Sequence, residues 1–249
     1  MGMRRLFVTP DQLATAQEGL VRLDPEQAHY LGLVLRLREG DALELFDGRG
    51  ARIAATLVDA AGQTALRLGE RAHDPEAAGA LILAQALSKG EKLDLIVQKA
   101  TELGAARIIP FAAERSVVKL DEERGAARAT RLRRIAQEAA RQCGRASVPE
   151  VDEPASWEGL FALLRAEPWL RCVLLDTDPA APQLSRLSLV EAPRLLLAVG
   201  PEGGFSPRER ERALAAGFLA ASLGPLILRT ETAGLAALSI VQHLRGALG

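Results

Sequence analysis

The residues best suited to chemistry lie in the carboxyl third of the chain, in two short loops that each interrupt an apolar run. Leu195 to Val199 is unbroken apolar sequence, Gly200-Pro201-Glu202-Gly203-Gly204 follows it, and Ser206-Pro207-Arg208-Glu209 then reads as a helix start. A buried strand that runs into a glycine loop and then a helix is where open α/β sheets hold ligands. The arrangement recurs at once: Leu219 to Leu223 reads as a strand, Gly224-Pro225 breaks it, and Leu228-Arg229-Thr230-Glu231-Thr232-Ala233 leads into the last helix. The first loop has neither the Gly-Lys-Ser/Thr of a P-loop nor the G-x-G-x-x-G of a dinucleotide site, and Glu202 within it would oppose a pyrophosphate. That carboxylate can accept hydrogen bonds or accompany a cation, and the glycines let the backbone approach a flat ligand. A tight turn that needs positive φ is the alternative reading of these glycines.

Strands and helices must hold such loops in place. From Met1 to about Arg71 the apolar runs are short, and turns at Arg38-Glu39-Gly40-Asp41 and Asp47-Gly48-Arg49-Gly50 separate Leu43–Phe46 from Ile53–Val58, with Thr64–Leu68 following. This pattern predicts a compact antiparallel barrel over 1–72. One helix is expected to interrupt it, with Asp24 as N-cap, Pro25 at the first position and Gln27 closing a capping box. The boundary falls in Ala72–Gly79, where the sequence turns small and polar. Over 73–249 strands alternate with helices. Strands are expected at 81–86, 107–111, 172–175, 195–199 and 219–223, and helices at 128–143, 157–166, 207–216 and 233–247. A further helix opens at a capping box Ser88-Lys89-Gly90-Glu91, carries Leu93, Ile96, Val97, Ala100 and Leu103 on one face, and ends at Gly104. The alternation predicts an open α/β sheet covered on both faces.

With 249 residues, 48% of them hydrophobic and 25% charged, the chain has the composition of an ordinary globular protein. Its apolar runs fall short of the roughly 20 residues of a membrane span, and no basic-then-apolar leader opens it, so the cytoplasm is the expected compartment. Cys143 and Cys172 stand far apart and near no histidine, which offers neither a zinc site nor a disulfide framework. Two buried small side chains are expected there, and no metal. A net charge of −1 gives no global attraction for nucleic acid, so any such partner must be held by local patches.

Such patches exist. On a helix at about 100° per residue, Leu132, Ile135, Ala136, Ala139 and Cys143 share one arc and Arg131, Arg134 and Arg141 the other, with Arg145 just beyond. Lys89, Lys92, Lys99, Arg115 and Lys119 lie in the same sequence neighbourhood. Arg4-Arg5 and Arg36 with Arg38 form two more clusters, and His29 beside Tyr30 offers a ring for stacking. A solvated helix face, and a core or capping role for His29, are the alternatives.

The chain resembles the 16S ribosomal RNA (uracil-N3)-methyltransferases of the SPOUT superfamily. The resemblance spans nearly the full length: Met3–Val8, His29 with Val34-Leu35-Arg36, Lys89 with Lys99–Gly104, Gln142–Arg145 with Pro149, Gly200–Gly204, and Leu223-Gly224 with Leu228–Ala233. It departs at Leu226, where the family usually has arginine, and at Arg141, where it usually has an acid.

The resemblance implies a SPOUT-type trefoil-knotted α/β methyltransferase domain preceded by a small PUA-like β-barrel that binds RNA. It implies S-adenosylmethionine in a pocket of three loops, here Leu174-Leu175, Gly200-Pro201-Glu202-Gly203, and Leu223-Gly224 with Leu228, Thr230, Thr232 and Ala233. The implied reaction methylates N3 of one uridine of 16S rRNA near the decoding centre, with the 30S subunit as substrate. Arg229 would stabilise the anion that develops on the base, and Glu231 or Glu202 would accept its proton, with solvent as the competing acceptor. A local Arg229–Glu231 salt bridge that shapes the loop is the alternative. Two other functions compete: a non-catalytic RNA-binding assembly factor, and a related methyltransferase acting on another RNA. The resemblance also implies a homodimer. In the last helix Leu235, Leu238, Ile240, Val241, Leu244 and Leu248 spread over roughly 220°, wide enough for the sheet on one side and a partner on the other, or for burial within its own domain.

Overall fold

Short strands with alternating burial build the first part of the molecule. In the computed structural model, which describes residues 4–60, 62–74, 81–116, 122–178 and 180–249, the chain divides into two units. One is Met1–Glu76 with Ala140–Val148, the other Ala77–Ala139 with Pro149–Gly249.

The first unit contains β1 (Arg5–Phe7), α1 (Pro10–Ala14), β2 (Leu20–Arg22), α2 (Pro25–His29), β3 (Ala42–Phe46), β4 (Ala51–Ala60) and β5 (Gln63–His73). The sheet order is β1-β3-β4-β5-β2. Ile53, Ala55 and Leu57 of β4 turn inward at period two, onto a core with Leu6, Val21, Leu31, Leu45 and Leu66. The capping box at α2 forms as expected, with Gln27 N donating to Asp24 Oδ1 at 2.7 Å and Asp24 N to Gln27 Oε1 at 3.2 Å. The sheet is not wholly antiparallel. β1 runs parallel to β3, because α1, β2 and α2 form a long crossover between them.

The second unit contains β6 (Leu81–Ala86), α3 (Lys92–Glu102), β7 (Arg107–Phe111), α4 (Glu122–Cys143, its last residues counted with the first unit), β8 (Glu150–Val151), α5 (Trp157–Ala166), β9 (Leu170–Leu175), β10 (Arg194–Val199), α6 (Pro207–Ala215), β11 (Leu219–Ala221) and α7 (Thr230–Leu244). The strands pair in parallel in the order β11-β9-β10-β6-β7-β8. Every residue of β6 is buried, as befits a strand covered on both faces. Ile82, Ala84, Leu196, Ala198, Cys172 and Leu174 face Trp157, Leu160 and Phe161 of α5 and Ala213 of α6. Their neighbours of opposite parity, Leu83, Gln85 and Val199, lie against Gly234 of α7, which packs on α3.

Several expectations are corrected. Glu91, not Ser88, caps α3, and it does so without a side-chain bond. Ser88 is buried, and Gly90 at φ +67° turns the chain between strand and helix. α4 is helical from 122 and α7 from Thr230, so Thr230-Glu231-Thr232 is a first helical turn and Leu248 lies past the helix end. β8 was not expected. Cys172 is buried, its thiol pushed up to about 12 by desolvation, but Cys143 is exposed. Among the described residues no helix is long and apolar enough to cross a membrane.

Candidate active site

The carboxyl ends of β9, β10 and β11 open into one cavity of about 900 Å³, the place where parallel sheets present ligand loops. Its walls are the end of β9 with the residues after it (174–177 and 180–186), the glycine loop after β10 (Val199 to Phe205) and the end of β11 with the segment to Ala233, with Arg115 and Arg210 at the sides.

Main-chain hydrogen bonds join the first wall to the third. Asp176 N donates to Ala221 O at 2.8 Å, Leu184 N to Ser222 O at 2.9 Å, and Ser222 N to Pro182 O at 2.8 Å. The Thr230 hydroxyl donates to Gly200 O at 2.6 Å and so joins the third wall to the second. The glycine loop closes on itself through Gly204 N to Pro201 O at 2.9 Å, with Gly204 at φ +66°. Gly200 and Gly203 are outside the left-handed region, so the turn reading applies to Gly204 and leaves the other two for close approach.

A buried carboxylate orders the side of the cavity. Glu209 Oε1 accepts from Glu114 N at 2.7 Å and Trp157 Nε1 at 2.6 Å, and Oε2 from Ser206 N at 2.8 Å. Glu209 thereby fixes the loop from which Arg115 Nη1 donates to Gly203 O at 2.8 Å.

The charges are arranged unequally. Lys92 Nζ, on the first turn of α3, lies 2.7 Å from Glu202 Oε1 and 3.6 Å from Glu231 Oε2. The hydrogen bond donated by Lys92 holds the Glu202 carboxyl below the usual carboxylate range, and the same bond raises Lys92. Arg210 pairs with Asp176 and Asp178, and the hydrogen bond it donates to Asp176 raises its pKa. Arg229 lines the cavity, exposed, with no ion pair among the described residues. The Arg229–Glu231 salt bridge is therefore not formed, because Glu231 turns to Lys92 instead.

Of the residues expected at the cofactor, Leu174, Leu175, Gly200, Pro201, Glu202, Gly203, Leu223, Gly224, Leu228, Thr230 and Ala233 line the cavity. Thr232 does not: the helix begins before it and turns it to solvent. Glu231 stands behind the lining, one-sixth exposed (16%), and its Oε2 has no hydrogen-bond partner. Two residues expected at RNA stand at this cavity, Lys92 between the two glutamates and Arg115 against the glycine loop. Asp176, Gln183, Arg186, Phe205 and Arg210 also line the cavity and were missed. Asp176 directly ends the apolar run Cys172–Leu175, which is a usable signal, whereas Arg186 and Arg210 are brought in by the fold.

The other expected RNA contacts separate by burial. His29, Arg36, Lys89, Arg131 and Arg134 are exposed. Arg4 is 3.7 Å from Asp41, and Arg131 pairs with Asp94. Arg5 is buried and structural: Nε donates to Glu44 at 2.6 Å, Nη1 to the carbonyls of Ala140 and Arg145 at 3.2 and 3.0 Å, and the guanidinium stacks on Phe46. Arg141 is half-buried over the Tyr30 ring and donates to its hydroxyl, and Arg145 is half-buried nearby. Lys119 lies outside the described residues.

Residues 75–242 match the RNA methyltransferase domain family, and residues 23–66 match the RNA methyltransferase PUA domain family. The chain is 34% identical to the ribosomal RNA small subunit methyltransferase E of Bacillus subtilis, over 97% of this chain and 96% of that protein. It is 37% identical to the Synechocystis protein of the same name, over 96% of this chain and 77% of that one. A crystal structure of the Neisseria gonorrhoeae ribosomal RNA small subunit methyltransferase E bound to S-adenosylmethionine superimposes with a TM-score of 0.84 at 31% identity, covering 98% of both chains.

Proposed function

Because the chain belongs to the RNA methyltransferase family, we propose that it transfers a methyl group from S-adenosylmethionine to N3 of a uridine in 16S rRNA, near the decoding centre of the 30S subunit. The observation that carries this reading is a cavity whose three walls are fastened to one another at the carboxyl ends of β9, β10 and β11.

The cavity suits the cofactor chemically. Leu174, Val199, Leu228 and Ala233 supply apolar surface, Gly200 and Gly203 expose backbone, and Asp176, Arg186 and Arg210 supply charge for a ligand that carries both signs. S-adenosylmethionine, when bound, supplies an electrophilic methyl group on a sulfonium. The chain's own task is to present the base in line and to manage its proton. Uracil N3 bears a hydrogen, so it becomes nucleophilic when that proton leaves and negative charge spreads to the ring oxygens. Arg229, permanently charged and free of a carboxylate among the described residues, is suited to that charge. Glu202, which lines the cavity, or Glu231 behind it accepts that proton in this reading, and the Lys92 hydrogen bond makes Glu202 a weaker base than a free carboxylate.

In this reading 1–72 is a PUA-like RNA-binding domain and 73–249 the catalytic domain with its trefoil knot, working as a homodimer in the cytoplasm. Exposed His29, Arg36 and Arg131 and half-exposed Arg4 are the contacts that support it; Arg5 is left out because it is buried. A non-catalytic binding factor would have no use for a fastened three-loop cavity. The deciding experiment is nucleoside mass spectrometry of 16S rRNA from a deletion strain. Loss of 3-methyluridine and its return on complementation are expected, and unchanged 3-methyluridine would overturn the reading. Sedimentation equilibrium tests the dimer, and a monomer at micromolar concentration would remove it.

A further inference from the structure

We infer that Gln85 is a positioning residue for the cofactor cavity, acting through the hydroxyl of Thr230, a role that rests on the methyltransferase reading. Gln85 lies in β6, within the apolar sequence Leu81-Ile82-Leu83-Ala84-Gln85-Ala86, and is completely buried. An amide at such a position costs desolvation that an apolar residue would avoid, so its donor and acceptor need an account.

The donor has one. Nε2 donates to Thr230 Oγ1 at 2.9 Å and, over a longer 3.4 Å, to Ala86 O, and Thr230 Oγ1 donates its single proton to Gly200 O at 2.6 Å. A hydroxyl that gives its proton to the carbonyl receives the amide hydrogen on a lone pair, which fixes the direction of the relay as Gln85 to Thr230 to Gly200. The sheet register reinforces it: Gln85 stands opposite Val199, the residue before Gly200. Gln85 Oε1 has no hydrogen-bond partner, so the side chain is retained at that cost for its donor. On the next turn of α7, Gly234 leaves room for this amide, since a β-carbon there would stand 3.1 Å from Oε1. Gln85 itself does not line the cavity, and its effect on a ligand must pass through Thr230.

Without the amide donor the Thr230 hydroxyl is free to rotate off Gly200 O, and the second and third walls lose their direct side-chain tie. The test measures S-adenosylmethionine binding by calorimetry and steady-state methylation for Gln85→Met, Thr230→Val, the double variant and Thr230→Ser. Each of the first two is expected to weaken cofactor binding by about tenfold. For Gln85→Met the KM for cofactor should rise while kcat at saturation and the KM for RNA hold. The double variant should lose no more than the worse single one, since both break one relay. Thr230→Ser, which keeps the hydroxyl, should restore binding. Additive losses, an unchanged affinity in Gln85→Met, or a fall in melting temperature without a change in affinity would each overturn the inference. If Gln85→Met does not fold, Thr230→Val against Thr230→Ser decides: equal affinities refute the relay. Failure of the wild-type protein to bind S-adenosylmethionine would instead refute the methyltransferase reading, which separates the two.

Discussion

Lys92 Nζ stands 2.7 Å from Glu202 Oε1 and so couples the first turn of α3 to the glycine loop after β10. The same ammonium is 3.6 Å from Glu231, on the first turn of α7. One cation thus faces two carboxylates, and its shorter contact, to Glu202, lowers the pKa of that carboxyl.

This coupling gives a pH dependence. The folded-state pKa of Glu202 lies below its unfolded value of about 4.3, so its contribution to stability is complete above that value and is lost as pH falls through the folded one. Lys92 moves the opposite way, and its contribution is lost only as pH rises beyond about 10.4. Melting temperature followed from pH 6 downward should therefore fall less for Lys92→Met than for the wild type below about pH 4.3. The difference should shrink in high salt, because both groups are partly exposed. Parallel acid limbs for the two proteins would show that the pair does not contribute.

Arg229→Ala is expected to slow single-turnover methylation at least tenfold, about 1.4 kcal/mol, with cofactor affinity nearly unchanged. Its position at the cavity without an ion pair among the described residues separates it from the loop-shaping contacts made by Thr230 and Lys92. A matching loss of cofactor binding would return Arg229 to a structural role, and a wild-type rate would remove it from the mechanism.

Strand positions and loop chemistry are legible in this sequence because both are local. Leu81–Ala86 and Leu195–Val199 are apolar runs of strand length, and Gly200–Gly204 breaks the second at the sheet's carboxyl edge. Polar partners chosen by tertiary structure are not legible. Lys92 and Arg115 read as surface cations, yet one meets Glu202 across 110 residues and the other the Gly203 carbonyl across 88. Arg5 reads as an RNA contact because nothing near it in sequence foretells Glu44 or the Ala140 carbonyl. Ser88…Glu91 satisfies a capping pattern, but Gly90 takes the left-handed turn that carries Ser88 away from the helix end.

The two glycines of Gly203-Gly204 should behave differently. Gly204, at φ +66°, has open space where a β-carbon would stand, so Gly204→Val costs backbone strain of about 1–2 kcal/mol and lowers the melting temperature. A β-carbon at Gly203 meets Arg115 at an ordinary 3.4 Å and no left-handed strain, so Gly203→Val should keep its stability while crowding the cavity and abolishing cofactor binding. Unchanged affinity in Gly203→Val would make this loop a turn and nothing more.

RNA binding should weaken steeply with salt, and α4 allows the basic face to be dissected. Arg131 and Arg134 are exposed on the helix, whereas Arg141 is half-buried on Tyr30. If Arg131 and Arg134 each neutralise a phosphate, Arg131→Gln with Arg134→Gln should lower the magnitude of the log-log salt slope by about 1.8, since each contact contributes about 0.9 on duplex nucleic acid and somewhat less on single strands. The melting temperature should hold, because both side chains are exposed and the ion pair of Arg131 with Asp94 is at the surface. Arg141→Gln should instead lower the melting temperature, by removing the hydrogen bond and ring contact to Tyr30. Filter binding across a salt series and thermal denaturation of the same preparations separate the two effects. An unchanged slope in the double variant would mean that this face is solvated and that the RNA is held elsewhere.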